Sequence, residues 1–373
     1  MNDEQASGAS RQVSVALLAD PGRPLRLAQK VAPELPELLA AELGDDVEWV
    51  VSAEEYWAPL DDAGVMHLAA NVADVRKERG RDYLIYLSDL PRYELDEPVV
   101  ATVNTSYGGG MVAVPALGLS RASSVCRLLV RMVGRLHSDP GDHDGTVRAD
   151  TLLQRVATVD ADPQGIDPEG PGSQDTVRTL KGVLGRVVVL AGMVRSSSPL
   201  RLVPRLSSAM AGAIATAAFG IFYTSIWSMA DYLSAGRLLV ISLLSVVTMT
   251  VWLIASHGLW EAPEGDHRRE RRILYNAATV TSVLIAVATM FLALFAVVLL
   301  GALVVIDVDY LEENIRDQAG FLDYVSLAWL ASSMGTIGGA VGASFSDAEV
   351  VRRATFSNRE FARRQTAQGW DDE

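Results

Sequence analysis

The sequence predicts an α/β domain at the amino-terminal end, followed by an all-α domain, a bundle of four transmembrane helices. Segments typical of strands alternate with segments typical of helices over residues 1–137. Further along, four stretches contain no Asp, Glu, Lys, Arg or His, and each approaches or exceeds the roughly 20 apolar residues that a helix needs to cross a bilayer. These stretches are 206–230, 238–256, 273–306 and 324–346, within a transmembrane domain spanning 206–346.

The overall composition hides this division. The chain has 373 residues, of which 49% are hydrophobic, and a formal net charge of −14. These averages are typical of an acidic soluble protein, but the four charge-free stretches exclude a wholly soluble protein and a single-pass anchor. Neither half of the chain is basic, so we expect no nucleic-acid partner. Cys126 is the one cysteine, which excludes an internal disulfide and a zinc site built from cysteine pairs.

The α/β domain is predicted to be a largely parallel sheet with one hairpin. Pro33 and Pro36 should interrupt its first helix, because proline cannot donate within a helix. The glycines at 108–110 match no phosphate-loop pattern and favour the turn of the hairpin. The predicted strands are 13–18, 47–51, 83–87, 98–105 and 111–114, and the predicted helices are 25–43, 61–79 and 120–137.

Two segments connect this domain to the first span. Residues 138–175 have the Pro, Gly and Asp content of a linker, with room for a short helix at about 146–158. Residues 176–205 are predicted to contain a basic amphipathic juxtamembrane helix. This helix either lies in the lipid headgroup layer or packs on the α/β domain, and the sequence leaves both possibilities open.

The distribution of arginine predicts the orientation. Thirteen arginines lie near the span ends on one side, and only Arg237 and Arg316 lie on the other. By the positive-inside rule, both termini are expected in the cytoplasm of a bacterium, with the spans in its cytoplasmic (inner) membrane. Residues 347–373 should form a basic helical tail. The stretch 273–306 contains no polar turn, so it is expected to be one long helix of about 51 Å.

The best candidate for a ligand site follows the third predicted strand. In α/β sheets, ligands bind outside the carboxyl ends of the strands. Asp89 and Arg92 occupy such a place, and Gly108, Gly109 and Gly110 are the nearby glycines. The simpler interpretation is a turn that Asp89 caps. Neither H-E-x-x-H nor G-x-S-x-G occurs, so we predict no catalytic residue, metal or cofactor, and an enzyme is not favoured.

Within the spans, the informative residues are small ones. The absence of charge argues against ion-coupled transport. Small residues let helix backbones approach closely, so their faces predict packing within the bundle or between copies. On the first span these residues are Gly212, Thr216 and Gly220, and on the fourth the overlapping GxxxG pairs use Gly335, Gly338, Gly339 and Gly342. The predicted partners are the lipid bilayer, a second copy or a membrane or cytoplasmic protein, and anionic lipid at Arg186, Arg195, Arg352 and Arg353.

Four segments resemble a group of uncharacterised bacterial multi-pass membrane proteins with an N-terminal cytoplasmic α/β domain. They are SDLPR at 88–92, VAVPALG at 112–118, LYNAAT at 274–279 and the glycine-rich fourth span. The resemblance implies the same arrangement of domains over most of the chain. It implies no activity, and it identifies no catalytic residue in this chain.

Three functional hypotheses follow from the sequence. The first is a membrane protein that anchors a cytoplasmic α/β domain for sensing, scaffolding or partner binding. The second is a permease or channel component with a regulatory soluble domain. The third is a membrane-tethered enzyme with a pocket at the strand ends.

Overall fold

The computed structural model describes residues 11–44, 47–59, 75–94, 97–137, 156–160, 175–180, 182–261, 269–316 and 318–368. The chain divides into two compact units. The α/β unit comprises residues 1–196 together with 357–373, and the helical unit comprises residues 197–356. The α/β unit is therefore discontinuous in sequence, since the chain leaves it after Ser196 and returns to it at Ser357.

The α/β unit contains one mixed sheet. Its order is β2-β1-β3-β6-β5-β8-β7, and β4 pairs with β5. Strands β2, β1, β3 and β6 are parallel, whereas β5, β8, β7 and β4 pair in antiparallel fashion. The strands are β1 Arg11–Ala19, β2 Val47–Glu55, β3 Tyr83–Ser88, β4 Arg92–Glu94, β5 Glu97–Asn104, β6 Gly109–Ala113, β7 Val156–Asp160 and β8 Asp175–Leu180.

The sequence prediction differs from this sheet at β7 and β8. Both strands touch the segment 138–175 that the composition assigned to a linker, and the predicted short helix at 146–158 overlaps β7. These strands are short, and the pairing of β8 with β5 and of β7 with β8 favours strand structure here more strongly than the local composition indicates. The predicted helix 61–79 lies mostly outside the described residues. The hairpin of β5 and β6 forms as predicted, but of the three glycines only Gly108, at φ 61°, lies in its turn, because Gly109 and Gly110 pair with β5 as part of β6.

Both units contain helices. In the α/β unit they are α1 Arg23–Val31, α2 Leu35–Leu43, α3 Ala122–His137 and α4 Gly182–Ser197. In the helical unit they are α5 Ser207–Phe222, α6 Thr224–Tyr232, α7 Ala235–Ser256, α8 Arg269–Val305, α9 Val308–Glu312, α10 Phe321–Ala343 and α11 Ala348–Thr355. The last helix, α12 Asn358–Gln368, belongs to the α/β unit again.

In the part of the chain that the structure describes, five helical segments are long and apolar enough to cross a membrane, judged by length and composition. Four of them, Val203–Phe222, Ala235–Ser256, Arg272–Val305 and Phe321–Ala343, correspond to the charge-free stretches. The additional one is Gly182–Arg201, which includes the helix predicted to be juxtamembrane. The stretch 273–306 lies almost entirely within a single helix, as predicted.

The first charge-free stretch is not one continuous helix. Helix α5 ends at Phe222, Tyr223 has extended backbone angles, and α6 begins at Thr224. The break leaves carbonyl groups at the end of α5 without partners from the same helix. The indole of Trp227 donates to the carbonyl of Gly220 at 3.0 Å, which satisfies one of them.

Candidate functional site

The order of the parallel strands places a topological switch point between β1 and β3. The chain runs from β1 to β2 on one side of β1 and then returns to β3 on the other side. Ligands of open α/β sheets bind outside the carboxyl ends of the strands at such a point. Asp20 directly follows β1, and Asp89 directly follows β3, so both carboxylates lie at this edge.

Asp20 is fully buried and accepts several hydrogen bonds. The Tyr86 hydroxyl donates to its Oδ1, the Ser88 hydroxyl donates to its Oδ2 at 3.2 Å, and the backbone N–H of Asp89 donates to Oδ2 at 2.8 Å. Burial raises the pKa of Asp20, although Arg359 and these hydrogen bonds oppose the rise. The carboxylate thus joins the ends of β1 and β3.

Arg359, from the first turn of α12, is the cation that pairs with Asp20. Its Nε lies 3.4 Å from Oδ1 of Asp20, and both side chains are buried. Its Nη2 also donates to the carbonyl of Ala58, and the guanidinium carbon lies 5.7 Å from the centre of the Trp57 ring. A carboxylate, a carbonyl and an aromatic ring therefore hold the guanidinium group.

Helix α12 carries a second buried ionic group one turn further on. Glu360 accepts hydrogen bonds from Arg363 Nη2 at 2.8 Å and from Arg364 Nε at 2.7 Å. Burial would raise the pKa of Glu360, but the two arginines outweigh burial and hold this pKa below its ordinary value. The segment after the helical unit is thus an integral, buried part of the α/β unit.

The pKa of Asp89 is influenced by the side chains of Ser196 and Ser357, the residues at which the chain leaves and re-enters the α/β unit. Its side chain is only 4% exposed, and burial raises its pKa to about 6. Hydrogen bonding to the side chains of Ser196 and Ser357 and the charge of Arg23 lower this pKa, while the charge of Asp20 raises it. Ser196 is the last residue before the helical unit, and Ser357 is the first residue after it.

Arg23 completes the arrangement from the first turn of α1. Its guanidinium donates to the carbonyl of Gly118 at 2.8 Å and to the carbonyl of Gly192 in α4 at 3.1 Å. The pKa of Arg23 is lowered to about 10, mainly by burial and secondarily by the nearby Arg195, while the charge of Asp89 opposes the shift. We refer to Asp20, Arg23, Asp89 and Arg359 as the strand-end cluster.

The structure brings only one of the predicted site residues into this cluster, namely Asp89. Arg92 begins β4, and its Nη1 lies 3.9 Å from the sulfur of Met111. The glycines lie at the other edge of the sheet, because β6 runs parallel to β3 with Gly109 opposite Leu84 and Ala113 opposite Ser88. Five residues of strand separate Leu84 from Asp89, about 16 Å at roughly 3.3 Å per residue.

Sequence reasoning missed Asp20, Arg23 and Arg359. The Asp-Pro-Gly sequence at 20–22 marks the end of β1 in the same way that the residues after β3 led to Asp89. The same reasoning could therefore have identified Asp20. Arg359 has no such signal, because its pairing with Asp20 depends on the return of the chain after the helical unit.

Small residues bring α5 and α10 into close contact within the helical unit. A Cβ added to Gly338 would lie 2.0 Å from Thr216 Oγ1, and one added to Gly342 would lie 2.5 Å from the carbonyl oxygen of Ser208. Added Cβ atoms at Gly335, Gly339, Gly212 and Gly220 would also meet atoms of the facing helix, at 2.3 to 3.3 Å. The small-residue face of α5 therefore packs against the small-residue face of α10 within a single chain.

Several buried hydroxyl groups in the helical unit bond within their own helices, although Ser332 Oγ is buried without a hydrogen-bond partner among the described residues and Ser282 Oγ donates to Ser197 Oγ at 3.4 Å. Thr279, Ser333 and Thr336 each donate to the carbonyl group four residues earlier. Hydroxyls satisfied in this way are compatible with close helix packing and leave less hydrogen-bonding capacity for a polar path through the bundle.

Two arginines predicted to meet anionic lipid make contacts within the helical unit. Arg352 Nε donates to the carbonyl of His257, the residue that caps α7, at 2.9 Å. Arg353 pairs with Glu349 at 2.7 Å on an exposed surface of α11. A cation at the end of a helix stabilises its unpaired carbonyl groups, so Arg352 has a structural role there.

Among the residues that the structure describes, no group of three or more His, Cys, Asp or Glu side chains is placed to hold a metal ion. Comparison with known proteins gave no match to a family model, a curated protein or a solved structure.

Proposed function

We propose that this protein is an integral protein of the bacterial cytoplasmic membrane that anchors a cytoplasmic α/β domain, and that this domain senses a ligand or binds a partner rather than catalysing a reaction. One observation carries the proposal. The segment that follows the helical unit returns to the switch point of the sheet, where Arg359 pairs with Asp20. A ligand or partner bound at the carboxyl ends of these strands would therefore lie next to the two segments that lead into and out of the helical unit and could shift their positions.

Asp89 is the residue best placed to transmit such an event. The side chains of Ser196 and Ser357 lower its pKa, and these are the two residues at which the chain leaves and re-enters the α/β unit. A change in the charge or position of this carboxylate would alter both connections together. This arrangement supports a regulatory or scaffolding role for the α/β unit.

We propose four spans, formed by α5, α7, α8 and α10, with both termini in the cytoplasm. The fifth candidate helix, α4, buries Gly185, Val189, Gly192 and Met193 within the α/β unit. A helix that packs in this way on a polar domain is a poor candidate for a span, since a span requires apolar surroundings along its whole length. The arginine distribution supports the orientation.

Labelling with a membrane-impermeant maleimide tests the orientation. In a Cys126→Ala background, Glu313→Cys and Glu349→Cys provide two matched exposed positions that follow α9 and begin α11. On intact spheroplasts we expect labelling at position 313 alone, and at position 349 only after lysis. Equal labelling of both positions on intact cells would contradict the four-span topology.

Hydrogen exchange on the full chain in lipid nanodiscs tests the coupling. We expect Asp89→Asn to change amide exchange in α11 and in 199–206, beyond the α/β unit. Asp82→Asn is the matched control, because Asp82 precedes β3 at the opposite edge and accepts from Ser14 Oγ at 2.7 Å. Changes confined to the α/β unit in both variants would refute the proposed coupling.

A further inference from the structure

Helix α4 has one face buried in the α/β unit. Gly185, Val189, Gly192 and Met193 recur at intervals of three or four residues and therefore share one side of the helix. A Cβ added to Gly192 would lie only 1.9 Å from the carbonyl oxygen of Pro115, so the helix backbone lies directly against the segment 114–118. The carbonyl of Gly192 also accepts from Arg23. This face fixes α4 to the soluble part of the molecule.

The opposite face of α4 is apolar and exposed. Val183 is 74% exposed, Leu184 57% and Val187 53%. At 100° per residue, these three positions lie within about 100° of one another, and Ala191 and Val194 fall in the same sector. Exposed apolar side chains are expected on a span, but α4 belongs to the α/β unit, so a contiguous apolar face here requires another partner.

Arginines border this face on both sides. On the same helical projection, Arg195 lies about 20° outside one edge of the apolar sector and Arg186 about 60° outside the other, beyond Leu190, and both arginines are exposed. The pattern continues beyond the helix, since Leu200 is 61% exposed and Arg201 follows it. Long cationic side chains beside an apolar stripe place their charges at the level of lipid phosphates while the stripe enters the acyl region.

We propose that the outer face of α4, formed by Val183, Leu184, Val187, Ala191 and Val194, lies in the interface of a bilayer that contains anionic lipid, with the helix parallel to the membrane plane. The chain continues from α4 through 198–206 into the apolar helix α5, so the membrane is the surface nearest along the chain. The buried inner face keeps the helix from crossing the bilayer. This inference rests on the proposed membrane topology and adds a second mode of membrane contact.

Depth measurements with spin labels test the orientation of α4. The full chain with Cys126→Ala receives one nitroxide at Val183, Val187 or Val194 and is placed in nanodiscs of phosphatidylcholine and phosphatidylserine. Leu243, exposed near the middle of α7, is the deep control, and Leu38, exposed on α2, is the aqueous control. Accessibility to oxygen and to a nickel chelate reports the depth of each label.

We expect the three α4 labels to share one shallow depth, while the label at 243 is deep and the label at 38 is in water. A depth that changes steadily from 183 to 194 would mean that α4 crosses the bilayer and would overturn the inference. Labels that behave like position 38 would also overturn it, and would point to a protein partner or solvent on this face. A label at 243 that is not deep would instead contradict the proposed membrane placement itself.

The charge of the lipid provides a second measurement. Replacing phosphatidylserine by phosphatidylcholine, or substituting Arg186→Gln and Arg195→Gln together, should increase the nickel accessibility of the label at Val187 by about twofold or more, because attraction to anionic lipid is lost. The matched control is Arg353→Gln, which changes an exposed arginine of α11. Equal accessibility in both lipid mixtures would remove the anionic-lipid part of the proposal.

Discussion

The guanidinium of Arg359 lies 3.4 Å from the carboxylate of Asp20, and both side chains are buried. This pair joins the last helix of the chain to the end of its first strand. A buried ion pair adds little net stability compared with apolar residues, but the removal of one partner leaves a charge without compensation. The pair therefore makes the position of α12 highly sensitive to single substitutions.

Arg359→Met should lower the free energy of unfolding of the α/β unit by about 3 kcal/mol, because Asp20 would lose its buried cation. The matched control is Arg353→Met, which removes an exposed pair with Glu349 and should cost less than about 1 kcal/mol. Thermal unfolding of the full chain in detergent measures both changes. Combining Arg359→Met with Asp20→Asn should recover part of the loss, and a fully additive loss would contradict a direct interaction.

Asp89 should make stability depend on pH. Burial raises its pKa from 3.8 to about 6, so between these values the folded state holds a proton that the unfolded state has lost. Stability should therefore decrease as pH rises through this window, by about 1.4 kcal/mol for each unit of pKa shift. The melting temperature of the full chain between about pH 4 and pH 7 is the measurement, since this range covers the window between the two pKa values.

Asp89→Asn should reduce part of the pH dependence of the melting temperature, and Asp82→Asn should leave this pH dependence unchanged. The reduction is partial because the pKa of Asp20 is also raised by burial and contributes in the same direction. An unchanged profile in the Asp89→Asn variant would show that this carboxylate does not titrate in the window.

Gly342→Ala should destabilise the contact between α5 and α10. The new Cβ would lie 2.5 Å from the carbonyl oxygen of Ser208, and because this neighbour is backbone, one of the helices must shift. We expect a loss of about 1–3 kcal/mol in detergent-based unfolding. The control is Gly236→Ala at the start of α7, where an added Cβ has no neighbour within 4 Å. Equal stability of the two variants would contradict the close packing.

Cys126 should react slowly with thiol reagents in the folded protein. The side chain is buried, and burial together with the neighbouring Glu34 raises the pKa of its thiol. Both effects reduce the amount of accessible thiolate, which is the reactive form. We expect the rate of alkylation to rise at least about tenfold when the α/β unit unfolds in urea. A native rate equal to that of an exposed cysteine, such as one at Glu349, would contradict the burial.

The sequence predicted the parts of the fold that depend on local pattern. The alternation of apolar segments predicted β1, β2 and β3, and the interruption by Pro33 and Pro36 matches the break between α1 and α2. It did not predict β7 and β8, whose short strands depend on pairing with distant residues. It also did not predict the break at Tyr223, since the surrounding residues include no charge and no proline.

Only part of the candidate site could be predicted from the sequence, because the topology of the chain brings the other residues to it. Asp89 could be identified because the end of a strand is visible in the local pattern. The glycines at 108–110 were wrongly grouped with it, because the direction of β6 relative to β3 is decided by strand pairing. Arg359 is separated from Asp20 by almost the whole chain, and only the return of the chain to the α/β unit brings it to the site.

The return of residues 357–373 to the α/β unit has a consequence for biosynthesis. The ribosome makes the sheet first, but the arginine that neutralises Asp20 emerges only after every helix of the helical unit has been synthesised. Until then the first strand ends in a carboxylate whose cation is missing. We expect chains that stop before Ser357 to be degraded faster than complete ones. A chain interrupted within the helical unit would therefore carry a less stable α/β unit than the complete chain.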